Sequence, residues 1–161
     1  MRLEHLCDVD MAYDLLAQVE ESAAGEGRIY GQGTATFTGP VSVAMAEIDS
    51  SLCGLTSFAC IPQPGSSTTL DPLREVVMNR LQYRNFGSYQ SLVGSLVTDV
   101  NGADRAGVRW FELRKTGASP WTLFQEGTVA PDATSRWMSS AAMDGSGNIA
   151  VAHNVSSSSV F

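Results

Sequence analysis

Ser91-Leu-Val-Gly-Ser-Leu-Val-Thr-Asp-Val100, the pair Asn101-Gly102 and Gly107-Val-Arg-Trp-Phe-Glu-Leu-Arg-Lys115 decide how this chain folds. Both runs have strand length, and Asn and Gly between them tolerate the positive φ that a tight return demands. Working outward, the same grammar predicts strands over Val76–Phe86, Ser91–Val100, Gly107–Lys115, Trp121–Glu126, Arg136–Met143 and Asn148–Val155, each bounded by Gly, Pro, Asn, Asp or Ser. In the last turn, Asp144-Gly145-Ser146-Gly147-Asn148, Asp144, Gly147 and Asn148 are the residues suited to a tight hairpin. The expected class is mainly β, an antiparallel meander over 76–161.

Side-chain size refines that expectation. Ser139 and Ala141 alternate with Met138, Ser140 and Ala142, and Ala150 and Ala152 with Ile149 and Val151, giving thin strand faces that let sheets approach closely. Thin faces suit the crowded centre of a β-propeller, whereas Trp110, Phe111, Trp121 and Phe124 suit its wider outer layers; a β-sandwich can use the same pattern. A propeller closes with at least about four blades of four strands, so these strands amount to a partial propeller of about one and a half blades. On that reading the chain is a fragment, cut within a domain.

The rest of the sequence has a different character. Residues 1–75 hold eleven acids and three bases, a balance of −8, whereas 76–161 hold six acids and seven bases, +1, which together make the formal net charge of −7. Met11, Leu15 and Val19 recur every fourth residue, joined by Ala12 and Leu16, and predict a short N-terminal helix between Asp8 and Ser22 with Asp10 as its cap. Ala23–Gly33, with four glycines, reads as a linker. Over 34–75, Thr34–Thr38 and Val41–Met45 read as short extended pieces, Ile61–Thr69 as a surface loop broken by two prolines, and Asp71-Pro72 as the start of a helical turn.

Composition also excludes partners. Nine of the ten cationic residues are Arg, and no basic run marks a phosphate-tracking surface, so nucleic acid is not expected. No stretch approaches the roughly 18 apolar residues of a spanning helix. The opening Met1-Arg-Leu-Glu-His-Leu-Cys-Asp8 lacks the basic and apolar regions of an export signal. Of the three cysteines, Cys53 and Cys60 flank a six-residue segment; they can bridge it or stand as unrelated thiols, and with no partnering His or second Cys pair they make a poor zinc site.

Phe37-Thr-Gly-Pro, Cys60-Ile-Pro-Gln-Pro-Gly, Arg80-Leu-Gln-Tyr-Arg-Asn-Phe-Gly, Gly107-Val-Arg-Trp-Phe-Glu-Leu, Arg136-Trp-Met and Met143-Asp-Gly-Ser-Gly-Asn-Ile-Ala form a further pattern. Over Thr34–Phe161 the chain resembles a family of large, functionally uncharacterised bacterial exported proteins with sialidase-like or propeller-like repeats. The resemblance implies a secreted, propeller-like fold, a location outside the cell or in its envelope, and a Cys53–Cys60 disulfide formed in an oxidising compartment. Residues 1–33 fall outside it.

Three arginines sit beside aromatics, as Tyr83-Arg84, Arg109-Trp110 and Arg136-Trp137. In a sialidase-like site such arginines would grip a substrate carboxylate bidentately, with Tyr83, Glu112 and Asp99 the candidates for nucleophile and acid/base work. The plainer reading has each arginine stacked or salt-bridged within its strand. The Asp144–Asn148 loop alternates oxygen-bearing side chains, as calcium ligands do, but lacks the bidentate Glu of such loops and reads as a turn. Gly31-x-Gly33 is a bend rather than a dinucleotide fingerprint, and His153 beside Ser156–Ser159 has no triad order. The expectation is therefore a non-enzymatic piece of a secreted, propeller-like binding or surface protein that needs no cofactor and meets a glycan or protein at a cell surface. The alternatives are a sialidase-like glycan hydrolase and a carbohydrate-binding module, the latter needing exposed aromatics on one face and removed if Trp110, Trp121 and Trp137 are all buried.

Overall fold

The computed structural model describes residues 42–54, 57–74, 76–78 and 80–160. The helix expected between Asp8 and Ser22, the linker to Gly33 and the extended piece at Thr34–Thr38 lie outside them, as does Cys7. Eight strands follow in order: β1 Ile61–Gln63, β2 Ser66–Leu70, β3 Gln82–Asn85, β4 Gln90–Asp99, β5 Ala106–Lys115, β6 Thr122–Val129, β7 Ser135–Met143 and β8 Ile149–Ser156. They form three antiparallel sheets, β1-β2, β3-β4-β5-β6 and β7-β8, each strand paired with its neighbour in sequence. The described residues are thus mainly β, without a helix.

β4 is the centre of the molecule, and all but its first residue are buried. Alternation sends Leu92, Gly94 and Leu96 to one face, where Leu92 and Leu96 pack with Leu81, Phe111, Leu113, Val43 and Ile48. It sends Ser91, Val93, Ser95 and Val97 to the other face. There Val93 meets Ala141 and Met143 of β7, and the Ser139 hydroxyl donates to the Ser95 hydroxyl at 2.9 Å. β7 alternates between buried and exposed residues beyond Trp137, so its small inward side chains allow the β7–β8 hairpin to lie directly on the large sheet. Trp137, 3% exposed, ties the layers together, packing with Val97 and Ala106 of the large sheet, Ile61 of β1, Leu52 and Cys53.

Glycine makes the large sheet fit. Gly94 lies opposite Phe111, and a Cβ there would sit 2.7 Å from the Phe111 ring and 2.8 Å from Leu81. The aromatic occupies the space a side chain would take.

The strand boundaries differ from the pattern-based ones at two places. The expected strand over Val76–Phe86 is interrupted, because between the Val77–Leu96 bridge and the Gln82–Val93 pair the chain uses four residues against two on β4. Leu81, one of the extra residues, turns into the core instead. The segment Ile61–Thr69, expected to be a loop, is the β1–β2 hairpin. Its prolines are compatible with pairing because Pro62 falls between the paired residues Ile61 and Gln63, and Pro64-Gly65, with Gly65 at φ +64°, makes the two-residue turn. Val41–Met45 contributes no strand among its described residues, and the helical turn expected at Asp71-Pro72 is replaced by a turn in which the Asp71 carboxylate accepts the Leu73 N–H at 2.8 Å.

Candidate functional site

The chemistry of this molecule gathers at the end of the large sheet where β3 turns into β4 and β5 into β6. On β5, Glu112 and Arg114 are two residues apart and share a face. Glu112 is fully buried, and three neighbours donate to it: the Ser91 hydroxyl (2.8 Å) and Arg114 Nε (2.5 Å) to Oε1, and Gln125 Nε2 (2.7 Å) to Oε2. A buried carboxylate is tolerated only when its oxygens are matched in this way. Held by its Nε, the Arg114 guanidinium takes no acceptor from the described residues at Nη1 or Nη2, and it is partly open to solvent.

Aromatic rings enclose that guanidinium. The β3–β4 turn, closed by the Phe86 N–H on the Tyr89 carbonyl (2.9 Å) with Gly87 at φ +83°, stacks Phe86 on Tyr89 at 4.7 Å between centroids. Tyr89 lies 4.3 Å from the centre of the Arg114 guanidinium. From the other side comes Phe124, 3.4 Å away and 54% exposed. Phe124 reaches that position because the β5–β6 register shifts between Glu112 and Leu113, leaving one extra residue on β6. The result is a ladder, Phe86, Tyr89, Arg114, Phe124, running from the β3–β4 turn across β5 to β6. Each cation–π contact contributes roughly 0.5–2 kcal/mol. Beside the ladder opens a cavity of about 440 Å³, also lined by Lys115, Ser88 and Thr116.

Glu112 apart, the residues singled out in the sequence lie elsewhere and do not converge. Arg84 shares the face of Glu112, but its Nη2 donates to the Met143 carbonyl at 2.9 Å. Arg109 is on the opposite face, paired with Glu126 at 2.5 Å and donating to Thr128 at 3.0 Å. Arg136, on β7, grips Asp132 through both terminal nitrogens at 2.8 Å. That grip, with help from Thr134, holds the Asp132 carboxyl well below the usual carboxylate range. Tyr83 packs on the Leu92 face, whereas Glu112 sits on the Val93 face, and the Asp99 carboxylate is taken up by the backbone N–H groups of Asn101, Gly102 and Asp104. Trp137 is buried, and Trp110 and Trp121 are half-buried.

No protein-family model, curated protein or solved structure matches the chain.

Asp144, Gly147 and Asn148 form the β7–β8 turn. Asp144 Oδ1 accepts the N–H groups of Ser146 and Asn148 and Oδ2 accepts Asn148 Nδ2 at 2.7 Å, which lowers the Asp144 pKa, the Asn148 amide being the main cause. Among the described residues no three His, Cys, Asp or Glu side chains gather around a point. Cys53 and Cys60 are joined in a disulfide. The loop they close presents the carbonyls of Gly54 and Ser57 to Arg74 Nη1, which also donates to the carbonyl of Leu52 just before it, and Arg74 lies beneath the exposed ring of Phe58. No described helix is long and apolar enough to cross a membrane.

Nothing in the sequence groups Arg114, Tyr89 and Phe124, because none of the three stands beside the others. One signal was present: Glu112 and Arg114, at strand spacing, must share a face. The β6 bulge that brings Phe124 to them has no sequence mark.

Proposed function

We propose that this chain is a binding module of an oxidising compartment outside the cytoplasm, built from propeller-like sheets, that takes its ligand on the Tyr89–Arg114–Phe124 shelf. One observation carries the reading: the buried carboxylate nearest the open cavity, Glu112, is an acceptor for three donors and orients an arginine, instead of facing the cavity as an acid or base would. What it produces is a fixed cation between aromatic faces, a recognition surface. The propeller-like reading draws support from the four-stranded β3–β6 meander, the size of one blade, with the β7–β8 hairpin laid on its face. The compartment draws support from the Cys53–Cys60 disulfide.

The ligand class favoured is carbohydrate, since an exposed aromatic edge beside hydrogen-bonding hydroxyls suits a sugar ring. The test is binding of the full, oxidatively folded chain to a panel of neutral and charged polysaccharides, with reducing ends assayed in parallel. Saturable binding weakened by Phe124→Ala, without release of reducing ends, is expected. Steady release of reducing ends would transfer the case to a glycan hydrolase, and no binding to any member of the panel would remove the module reading.

A further inference from the structure

The cavity beside the ladder has a chemical signature that narrows its ligand. Arg114 and Lys115 line it, together with hydroxyl-bearing residues, and no carboxylate does, in a chain whose formal charge is −7. Lys115 has no acidic partner among the described residues; its ammonium lies 5.1 Å from the centre of the Trp121 ring. The hydroxyls of Ser88 and Thr116, at the two turns that form the rim, take no protein partner among the described residues. Glu112 offsets the charge of Arg114 from behind, so Lys115 leaves the site with a net charge of +1.

Arginine with its Nε already engaged can still present Nη1 and Nη2 side by side. Two oxygens of one planar or tetrahedral oxyanion match that pair. Tyr89 and Phe124 on either side limit the guanidinium's freedom, which reduces the ordering cost when a ligand arrives. The cavity's 440 Å³ falls within the range of small-molecule sites, about 300–1,000 Å³.

Resting on the binding-module reading above, we infer that this cavity is an oxyanion subsite: Arg114 receives a singly charged sulfate ester or carboxylate on the carbohydrate end-on, Lys115 supplies the second cation, and Phe124 meets the ring that carries the group. Glu112 is the positioning residue for Arg114. The inference concerns Arg114 and Lys115, and Arg84, Arg109 and Arg136 have no part in it.

The experiment compares three immobilised polymers on the full chain: dextran, dextran sulfate and polygalacturonate. Dextran and dextran sulfate share a backbone, so their difference isolates the sulfate, and polygalacturonate tests the carboxylate. Binding to one or both charged polymers, at least about tenfold tighter than to dextran and weakening as salt rises from 50 to 500 mM, is expected. Arg114→Gln should weaken it about 10- to 100-fold, as loss of charged hydrogen bonds does. Because Arg114→Gln removes a partner of buried Glu112, Lys115→Gln provides the variant that leaves the core intact, with a loss of about 2- to 5-fold and an unchanged melting temperature. Equal binding of dextran and dextran sulfate, with Phe124→Ala still weakening both, would overturn the oxyanion subsite and leave the module standing. Charged-polymer binding indifferent to both Arg114→Gln and Lys115→Gln would also overturn it. No binding to any of the three, alongside binding to other polysaccharides in the wider panel, overturns the subsite alone; silence across the whole panel removes both.

Discussion

The β3–β6 sheet and the β1–β2 hairpin are both antiparallel, yet they are held by different physics. In the sheet, β4 has side chains buried on both faces, and its neighbours close over it as two apolar clusters. In the hairpin, β2 is exposed along most of its length and only Ile61 is fully buried. A two-stranded hairpin is marginal in water. This one is fastened at its base by the Cys53–Cys60 disulfide, by Arg74 in a cage of three carbonyls, and by the Ser156 hydroxyl on the Pro62 carbonyl at 2.7 Å. Apolar area stabilises one region, and covalent and polar clamps stabilise the other.

The harshest way to break this contrast is at the residue that joins the two regions. Trp137→Ala should destabilise the whole chain by about 3–5 kcal/mol, the usual cost of a large aromatic cavity, read as a single shifted transition in urea. Two separate transitions would show that the sheet and hairpin fold independently. Next in size, Cys53→Ser with Cys60→Ser should cost about 2–3 kcal/mol on the loop-closure account. Its signature is local: hydrogen exchange should speed up in Ile61–Leu70 while β4 and β5 amides keep their protection.

Gly94→Ala tests the sheet alone. With a Cβ placed 2.7 Å from the Phe111 ring, overpacking should cost about 1–3 kcal/mol, and Phe111→Leu in the same chain should recover part of it. The smallest effect belongs to Asp132→Asn. The folded Asp132 pKa lies below its unfolded value, so the ionised form adds stability that is full above about pH 4 and fades as pH falls from there toward the folded pKa. Wild type should therefore outlast Asp132→Asn in melts at pH 6, and the gap should narrow steadily from pH 4 to pH 2. A gap that widens on acidification would contradict the Arg136 pairing.

The same division explains what could be read without coordinates. The strands of the large sheet announce themselves, because a period of two in runs such as Gly107–Lys115 and turn residues such as Asn101-Gly102 are local signals. The β1–β2 hairpin did not, since Pro62 and Pro64 argue against a strand until the register shows that Pro62 falls between paired residues. At the candidate site the arginines beside aromatics in sequence suggest a cluster, but in a strand successive residues point to opposite faces. Arg109 and Trp110 therefore diverge, while Arg114 meets Tyr89 and Phe124 from distant positions.

By itself, then, the sequence determined a mainly antiparallel β chain over the large sheet and the last hairpin, with turns such as Asn101-Gly102 and Asp144–Asn148, all consequences of neighbours within a few residues. Tertiary structure alone decided which face of β4 each layer covers, that Glu112 is buried and serves Arg114, and that a one-residue bulge in β6 brings Phe124 to the cavity. Side-chain alternation is fixed locally, but register between strands is settled by the packing of the whole, and register determines which side chains meet.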